Sequence, residues 1–167
     1  MPMRSITPAI RRAAFAALVL LTAAPAYADI TAFIGANTTP DNRSAKGFAI
    51  GTGLLIIGFE FEYSSTGEST DTSTPAPSLK TGMGNVLLQT PGTIAGFQPY
   101  FTAGAGIYRE TLGTHEDTSG ALNTGGGVKM NLVGPLRLRV DYRVFKLGSG
   151  ALYSPAHRVY AGLNLKF

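Results

Sequence analysis

The sequence contains no cysteine and no tryptophan, and only 14% of its 167 residues are charged. The absence of cysteine excludes a disulfide framework, a cysteine-ligated zinc or iron–sulfur site, and thiol catalysis. The charged fraction lies far below the ~25% that is typical of soluble domains. Because 44% of the residues are apolar, a disordered chain is excluded as well. The length suits one domain.

A basic surface for nucleic acid is also missing. The formal net charge is +4, but Arg4, Arg11 and Arg12 all lie in the first twelve residues. The remaining basic residues are nearly balanced by the 10 acidic residues, so nucleic acid is not an expected partner. His115 and the two acidic residues that follow it lack the spacing of a metal site. We expect neither a metal nor another cofactor.

The longest apolar run lies near the N-terminus, at residues 13–24. Twelve residues at ~1.5 Å of rise each cannot cross a hydrocarbon core of about 30 Å as a helix. The run follows three arginines and precedes Ala26-Tyr27-Ala28, a small-x-small motif. This order predicts a secretory signal peptide over residues 1–28, cleaved between Ala28 and Asp29, followed by one domain at 29–167. The Sec export machinery is then an expected partner.

The rest of the chain alternates apolar and polar residues with a period of two, which is typical of β-strands. Eight strands are predicted, at residues 29–37, 46–53, 56–64, 79–89, 97–110, 121–132, 136–145 and 156–167. Three of the intervening segments are short, and four are polar and mostly longer, among them 66–78 and 111–120. Short turns at one end and long loops at the other are the plan of outer-membrane barrels.

The two faces of each predicted strand differ in chemistry. In strand 56–64 the side chains of Phe59 and Phe61 alternate with those of Glu60 and Glu62. A soluble barrel would turn large apolar residues inward, but the interior of an eight-stranded barrel is only wide enough for side chains to fill it. Glycines on the polar face make room for long charged side chains. Removing a large apolar side chain from water is favourable by about 1.5–3 kcal/mol of free energy. We therefore predict an all-β fold, an eight-stranded antiparallel up-and-down transmembrane β-barrel.

Nine charged residues are expected to share the interior of this barrel: Glu60, Glu62, Lys80, Lys129, Arg137, Arg139, Asp141, Arg143 and Arg158. Because buried charges must be paired, the favoured interpretation is a salt-bridge network that plugs the lumen. A gated ion path is the alternative, and a hydrolytic pair of Glu60 and Glu62 is disfavoured. The register of strand 79–89 stays open, because Lys80 has the same parity as Val86 and Leu88.

The signal peptide, the eight alternating strands and a C-terminal phenylalanine together resemble the OmpA/OmpX-type outer-membrane β-barrel superfamily. The resemblance implies the bacterial outer membrane as the location, outer-membrane lipid as the surroundings and a monomer as the oligomeric state. It also implies that the barrel-assembly machinery recognises the C-terminal strand, through Tyr160, Leu163, Leu165 and Phe167. Larger members continue into a peptidoglycan-binding domain, which we do not expect here.

The expected role is structural or interactive: envelope integrity, or adhesion through a surface ligand held by loops 66–78 and 111–120. A narrow ion or solute pore is the second hypothesis, and a lipid A-modifying enzyme is the third. Ser154 and His157 resemble part of the site of lipid A deacylases, but the His-x-Ser pattern of those enzymes would require serine where this chain has Val159. We therefore assign no catalytic residue and do not expect an enzyme.

Overall fold

The barrel is closed and entirely antiparallel. The computed structural model describes residues 26–70 and 75–167, which form eight strands. The strands are β1 Ala26–Asn37, β2 Arg43–Leu54, β3 Ile57–Thr66, β4 Ser78–Gln89, β5 Phe97–Leu112, β6 His115–Val133, β7 Leu136–Leu147 and β8 Ala156–Lys166. Each strand pairs with its sequence neighbours, and β1 pairs with β8. The predicted eight-stranded up-and-down barrel is therefore confirmed.

The first and last strands complete the wall. Asp29 pairs in register with Lys166, and the pairing continues along β1 and β8 as far as Asn37 and Arg158, so closure does not depend on residues before the predicted cleavage site. Closure gives every strand two neighbours, which leaves no sheet edge unpaired. Most of the predicted signal peptide, residues 1–25, lies outside the described residues, so cleavage between Ala28 and Asp29 stays a prediction.

One end of the barrel carries the short connections. Leu55 and Ile56 link β2 to β3, and Gly134 and Pro135 link β6 to β7. Leu55 and Gly134 have φ angles of 55° and 57°, the left-handed conformation that such tight turns require. The third connection at this end covers residues 90–96. We refer to this end as the turn end.

The opposite, loop end differs from the prediction at one of its four connections. Residues 38–42 and 148–155 are loops, and so are the described residues between β3 and β4 (67–70 and 75–77), but the predicted loop 111–120 is the tip of a long β5–β6 hairpin. Pairing continues to Leu112 and His115, and only Gly113 and Thr114 form the turn. The side chains become polar where the apolar band of the wall ends, whereas the backbone pairing of β5 with β6 continues beyond that level.

The outer wall is apolar at most positions between these ends. Phe59 is 54% exposed and Ile34 is 72% exposed, and they belong to a set of exposed large apolar side chains whose number is unusual for a soluble protein. Other apolar side chains that point outward are Ile30, Ile50, Phe61, Val86, Leu88, Phe101, Ile107, Leu122, Val159 and Leu163. The alternation predicted from the sequence therefore sends large apolar side chains outward and polar ones inward on most strands. In the described part of the chain, no helix has the length and apolarity needed to cross a membrane.

Candidate functional site in the barrel interior

Six charged side chains meet at the centre of the lumen. Glu60 and Glu62 come from β3, Arg139, Asp141 and Arg143 come from β7, and Arg158 comes from β8. The period of two along a strand puts alternate residues of β7 on one face, and β3 lies on the opposite side of the eight-stranded ring. All six are at most 5% exposed. We call these six residues the central network.

The central network contains three arginines and three carboxylates, and each carboxylate contacts two guanidinium groups. Glu60 pairs with Arg139 and lies 2.9 Å from Arg143, and Asp141 lies 3.2 Å and 3.0 Å from the same two arginines. Glu62 lies 3.0 Å from Arg143 and also pairs with Arg158. The numbers of positive and negative charges are equal, and charge-assisted hydrogen bonds join them. Both features offset the free-energy cost of burying these groups.

Aromatic side chains enclose the central network. The Arg139 Nε–H donates to the Tyr100 hydroxyl oxygen at 2.7 Å, and the Tyr100 hydroxyl donates to Asp141. The Arg158 guanidinium lies 4.6 Å from the centre of the Phe145 ring, and Phe33 and Tyr160 stack at 4.1 Å. Such cation–π contacts strengthen when they are shielded from water. The sequence analysis did not identify Tyr100 as an interior residue. Tyr100 lies on the same face of β5 as the polar residues Gln98 and Thr102, and this alternation indicates an inward side chain.

Glycines provide the space for these side chains. A Cβ atom added to Gly127 would lie 2.5 Å from the Tyr100 hydroxyl oxygen, and one added to Gly125 would lie 3.0 Å from the Arg143 side chain. A Cβ atom on Gly162 would lie 2.8 Å from Phe33. The interior therefore combines long arginine and aromatic side chains with glycines as their register partners on neighbouring strands, as a narrow barrel requires.

Lys129 and Arg137 lie in the interior too, in a layer that adjoins the central network on its turn-end side, where Lys129 and Arg139 share the Tyr100 ring. Lys129 Nζ lies 2.7 Å from Asp29, and Arg137 lies 3.7 Å from the same carboxylate. Arg137 also donates hydrogen bonds to Asn164 at 3.0 Å and Gln98 at 2.9 Å. Asp29, predicted as the first residue after signal cleavage, is thus the buried carboxylate of this layer.

Lys80 is a correction to the predicted interior set. Its side chain is exposed on the outer wall, and β4 turns Met83 and Asn85 inward instead. The neighbouring strand β5 contributes Gly104 and Gly106 beside them, and a Cβ on either glycine would collide with β4. These glycines leave room that Asn85 and Met83 fill, so packing volume decided the register of β4 where polarity could not.

An apolar layer separates the central network from the loop end. Met83, Tyr108 and Phe145 pack there with four smaller neighbours, and the full cluster is Leu79, Met83, Tyr108, Ala121, Phe145, Leu147 and Ala156. The period-two argument did not anticipate apolar residues inside the barrel. The signal was present in β7, where Phe145 and Leu147 share the parity of the arginines.

The loops are tied to the wall above this layer. Arg43 donates hydrogen bonds to the carbonyl oxygens of Thr39 at 2.8 Å and Gly67 at 3.3 Å. The Leu152 backbone N–H donates to the Glu110 carboxylate at 2.9 Å. One arginine and one glutamate therefore connect three loops to β2 and β5.

Ser154 and His157, the residues weighed for catalysis, engage different partners. The Ser154 hydroxyl lies in hydrogen-bond distance of the Leu147 backbone, with Oγ 3.1 Å from the Leu147 nitrogen. His157 Nδ1 lies 2.7 Å from the Tyr142 hydroxyl. A serine nucleophile activated by histidine requires a hydrogen bond between the two side chains. The hydrogen bonds of Ser154 and His157 go to Leu147 and Tyr142 instead.

Comparison with known proteins identifies the fold. No protein-family model matches the chain, and no curated protein matches its sequence. Neisserial surface protein A matches with a TM-score of 0.63 and 17% identity, over 85% of this chain and 96% of that one. Ail of Yersinia pestis matches at 0.53 and 14%, over 86% and 100%, and the outer membrane enzyme PagL at 0.51 and 13%, over 83% and 98%.

These matches confirm the resemblance to OmpA/OmpX-type barrels at the level of the fold. The chain has the fold of the eight-stranded outer-membrane barrels. A surface protein and an enzyme share that fold, so the architecture alone does not decide between the two roles.

Proposed function

We propose that this protein is an integral protein of the bacterial outer membrane with a closed lumen and a structural or surface-interaction role. The observation that carries the proposal is the neutral central network of three arginines and three carboxylates inside an apolar outer wall. An apolar wall is suited to lipid, and a central network with equal positive and negative charge is suited to closure.

Two features of the interior support a plug rather than a pore. The central network spans from β3 to β7, and an apolar layer that includes Met83 and Phe145 lies between it and the loops. Ions would have to cross both layers, and the side chains of the apolar layer carry no charge. The pore hypothesis is the alternative outcome of the test below.

A surface role is supported by the hydrogen bonds at the loop end. The β5–β6 hairpin extends beyond the apolar band, and Arg43 and Glu110 bond to Thr39 and Leu152 in the neighbouring loops. The Tyr153 hydroxyl also donates to the Pro75 carbonyl oxygen at 3.2 Å, joining two loops. Preorganised loops lower the entropic cost of binding a partner. The surface role named for the Neisserial protein fits this arrangement.

Export and assembly complete the proposal. Cleavage after Ala28 would leave Asp29 as the first residue of a monomeric barrel in outer-membrane lipid. Leu163 and Leu165 on β8 and Phe167 just after it are exposed on the outside, where assembly factors can reach them, whereas Tyr160 points inward. We therefore assign the barrel-assembly signal mainly to the three outward residues.

Single-channel recording of the refolded protein in planar bilayers tests the proposal. We expect a folded barrel, identified by heat-dependent gel mobility, that carries no long-lived ohmic current. The comparison variant is Arg143→Ala. It removes one arginine of the central network on β7 and is expected to increase the leak current. A steady wild-type conductance would favour the pore, and a chain that does not fold into any bilayer would exclude the membrane assignment.

A further inference from the structure

Basic side chains form a row on the outer wall, and the ion pairs inside the barrel do not involve them. Lys46 on β2 is the register partner of Ser65 on β3, and Ser65 is the partner of Lys80 on β4. Lys80 is in turn the partner of Arg109 on β5. The three basic residues are exposed on the outer wall. Neighbouring strands of the sheet lie about 4.8 Å apart. We call these four residues the outer basic row.

The row lies at the loop end of the apolar band. Phe48 and Tyr63 are register partners. Each is the next outward-facing residue on its strand below the row, further from the loops, and their ring centres are 5.9 Å apart. Below them the wall continues with Ile50 and Phe61. Aromatic residues mark the level where hydrocarbon meets headgroups. Lys46 and Ser65, directly above this aromatic pair, therefore lie at headgroup level in the leaflet on the loop side, and Lys80 lies on the next strand beside Ser65.

Two of its charges are uncompensated. Arg109 pairs with Glu116 at 2.7 Å, but Lys46 and Lys80 have no ion-pair partner within residues 26–70 and 75–167. The row thus presents two positive charges two strands apart. A phosphomonoester carries about −1.5 to −2 charge at neutral pH, which matches them, whereas a phosphodiester carries only one charge.

Apolar surface for acyl chains lies beside these charges. A broad open groove of about 840 Å³ has both lysines in its lining, together with Ile34, Phe48, Tyr63 and Leu163. The apolar part can hold hydrocarbon while the lysines contact a charged headgroup, an arrangement that suits an amphiphile better than a soluble anion.

We propose that the outer basic row is a binding site for a lipid with a phosphomonoester headgroup in the loop-side leaflet. Lys46 and Lys80 contact the phosphate, and the acyl chains lie in the groove beside Phe48 and Tyr63. The inference rests on the proposed membrane location and adds a specific lipid contact to it.

Native mass spectrometry of the refolded protein in detergent micelles tests the site. The probes are diphosphoryl lipid A, which has phosphomonoesters, and phosphatidylglycerol, a phosphodiester. The variant is Lys46→Gln/Lys80→Gln. The control is Lys146→Gln/Lys166→Gln, which removes the same charge from outside the row. We expect the first variant to weaken lipid A binding roughly 10- to 30-fold, as the loss of two near-membrane cations predicts, and the control to change it less than twofold.

The outcomes separate this site from the proposed function. Equal binding of the two lipids, or equal loss in variant and control, overturns the site while leaving a folded barrel in place. A wild-type chain that does not refold in micelles or bilayers overturns the membrane location instead. Should the double variant not fold, Lys80→Gln is measured against Lys146→Gln, and an unchanged affinity again overturns the site.

Discussion

The Glu60 carboxylate on β3 and the Arg143 guanidinium on β7 meet across the lumen at 2.9 Å, from strands on opposite sides of the barrel. Their contact joins the two walls through the interior. Glu60 also pairs with Arg139, so one carboxylate holds two buried arginines. The stability of the barrel should therefore depend on this side chain more than on any single residue of the lipid face.

Replacing Glu60 with alanine leaves Arg139 and Arg143 short of one carboxylate in a buried site. We expect a loss of about 3–5 kcal/mol in the free energy of unfolding, because an unpaired buried charge is costly. Urea unfolding in lipid vesicles measures this loss. Glu116→Ala, which breaks an exposed pair with Arg109, is the control and should cost less than about 1 kcal/mol. A mild effect of Glu60→Ala together with a new conductance would indicate a water-filled lumen.

The lipid face can be tested at Phe59, which points outward on β3. An arginine there should cost about 2–4 kcal/mol if the position lies near the bilayer midplane. Gly58→Ser is the neighbouring control, because a Cβ at Gly58 meets only ordinary contacts, at 3.4 Å and beyond. Refolding yield in vesicles, read by heat-dependent gel mobility, reports both variants. Equal yields would mean that the assigned facing of β3 is wrong.

Two glycines of β6 should respond differently to the same substitution. A Cβ at Gly127 would lie 2.3 Å from the Val140 carbonyl oxygen, whereas one at Gly120 meets nothing within 4 Å. Gly127→Ala should therefore destabilise the barrel by about 1–3 kcal/mol through overpacking, and Gly120→Ala should be near neutral. Thermal unfolding in detergent compares them. If the two variants melt alike, the packing around Tyr100 is looser than described.

Orientation and hairpin structure can be tested together with a glutamate-specific protease on intact cells. Glu68 lies exposed two residues after the end of β3, and Glu116 lies exposed on β6, where Thr111 pairs with it. We expect cleavage after Glu68 and protection at Glu116, because paired strands are poor protease substrates. Cleavage only in permeabilised cells would reverse the orientation, and rapid cleavage at Glu116 would contradict the hairpin.

The number of strands and the facing of most of them followed from local sequence. A period of two is a property of each strand by itself, so Phe59 against Glu60, or Leu138 against Arg139, reveals the two faces without knowledge of neighbours. The outward apolar face and the inward position of the charged residues on β3 and β7 could be predicted for that reason.

The tertiary structure decided what depends on register and volume. Lys80 faces outward because Met83 and Asn85 fill the space that Gly104 and Gly106 leave on β5. Residues 111–120 form a hairpin because backbone pairing continues where the side chains become polar. Contacts such as Glu60 with Arg143 join strands at opposite walls, and only closure of the barrel sets which side chains share one level. Local alternation determines the two faces of a strand, and the shape of the closed sheet determines the partners.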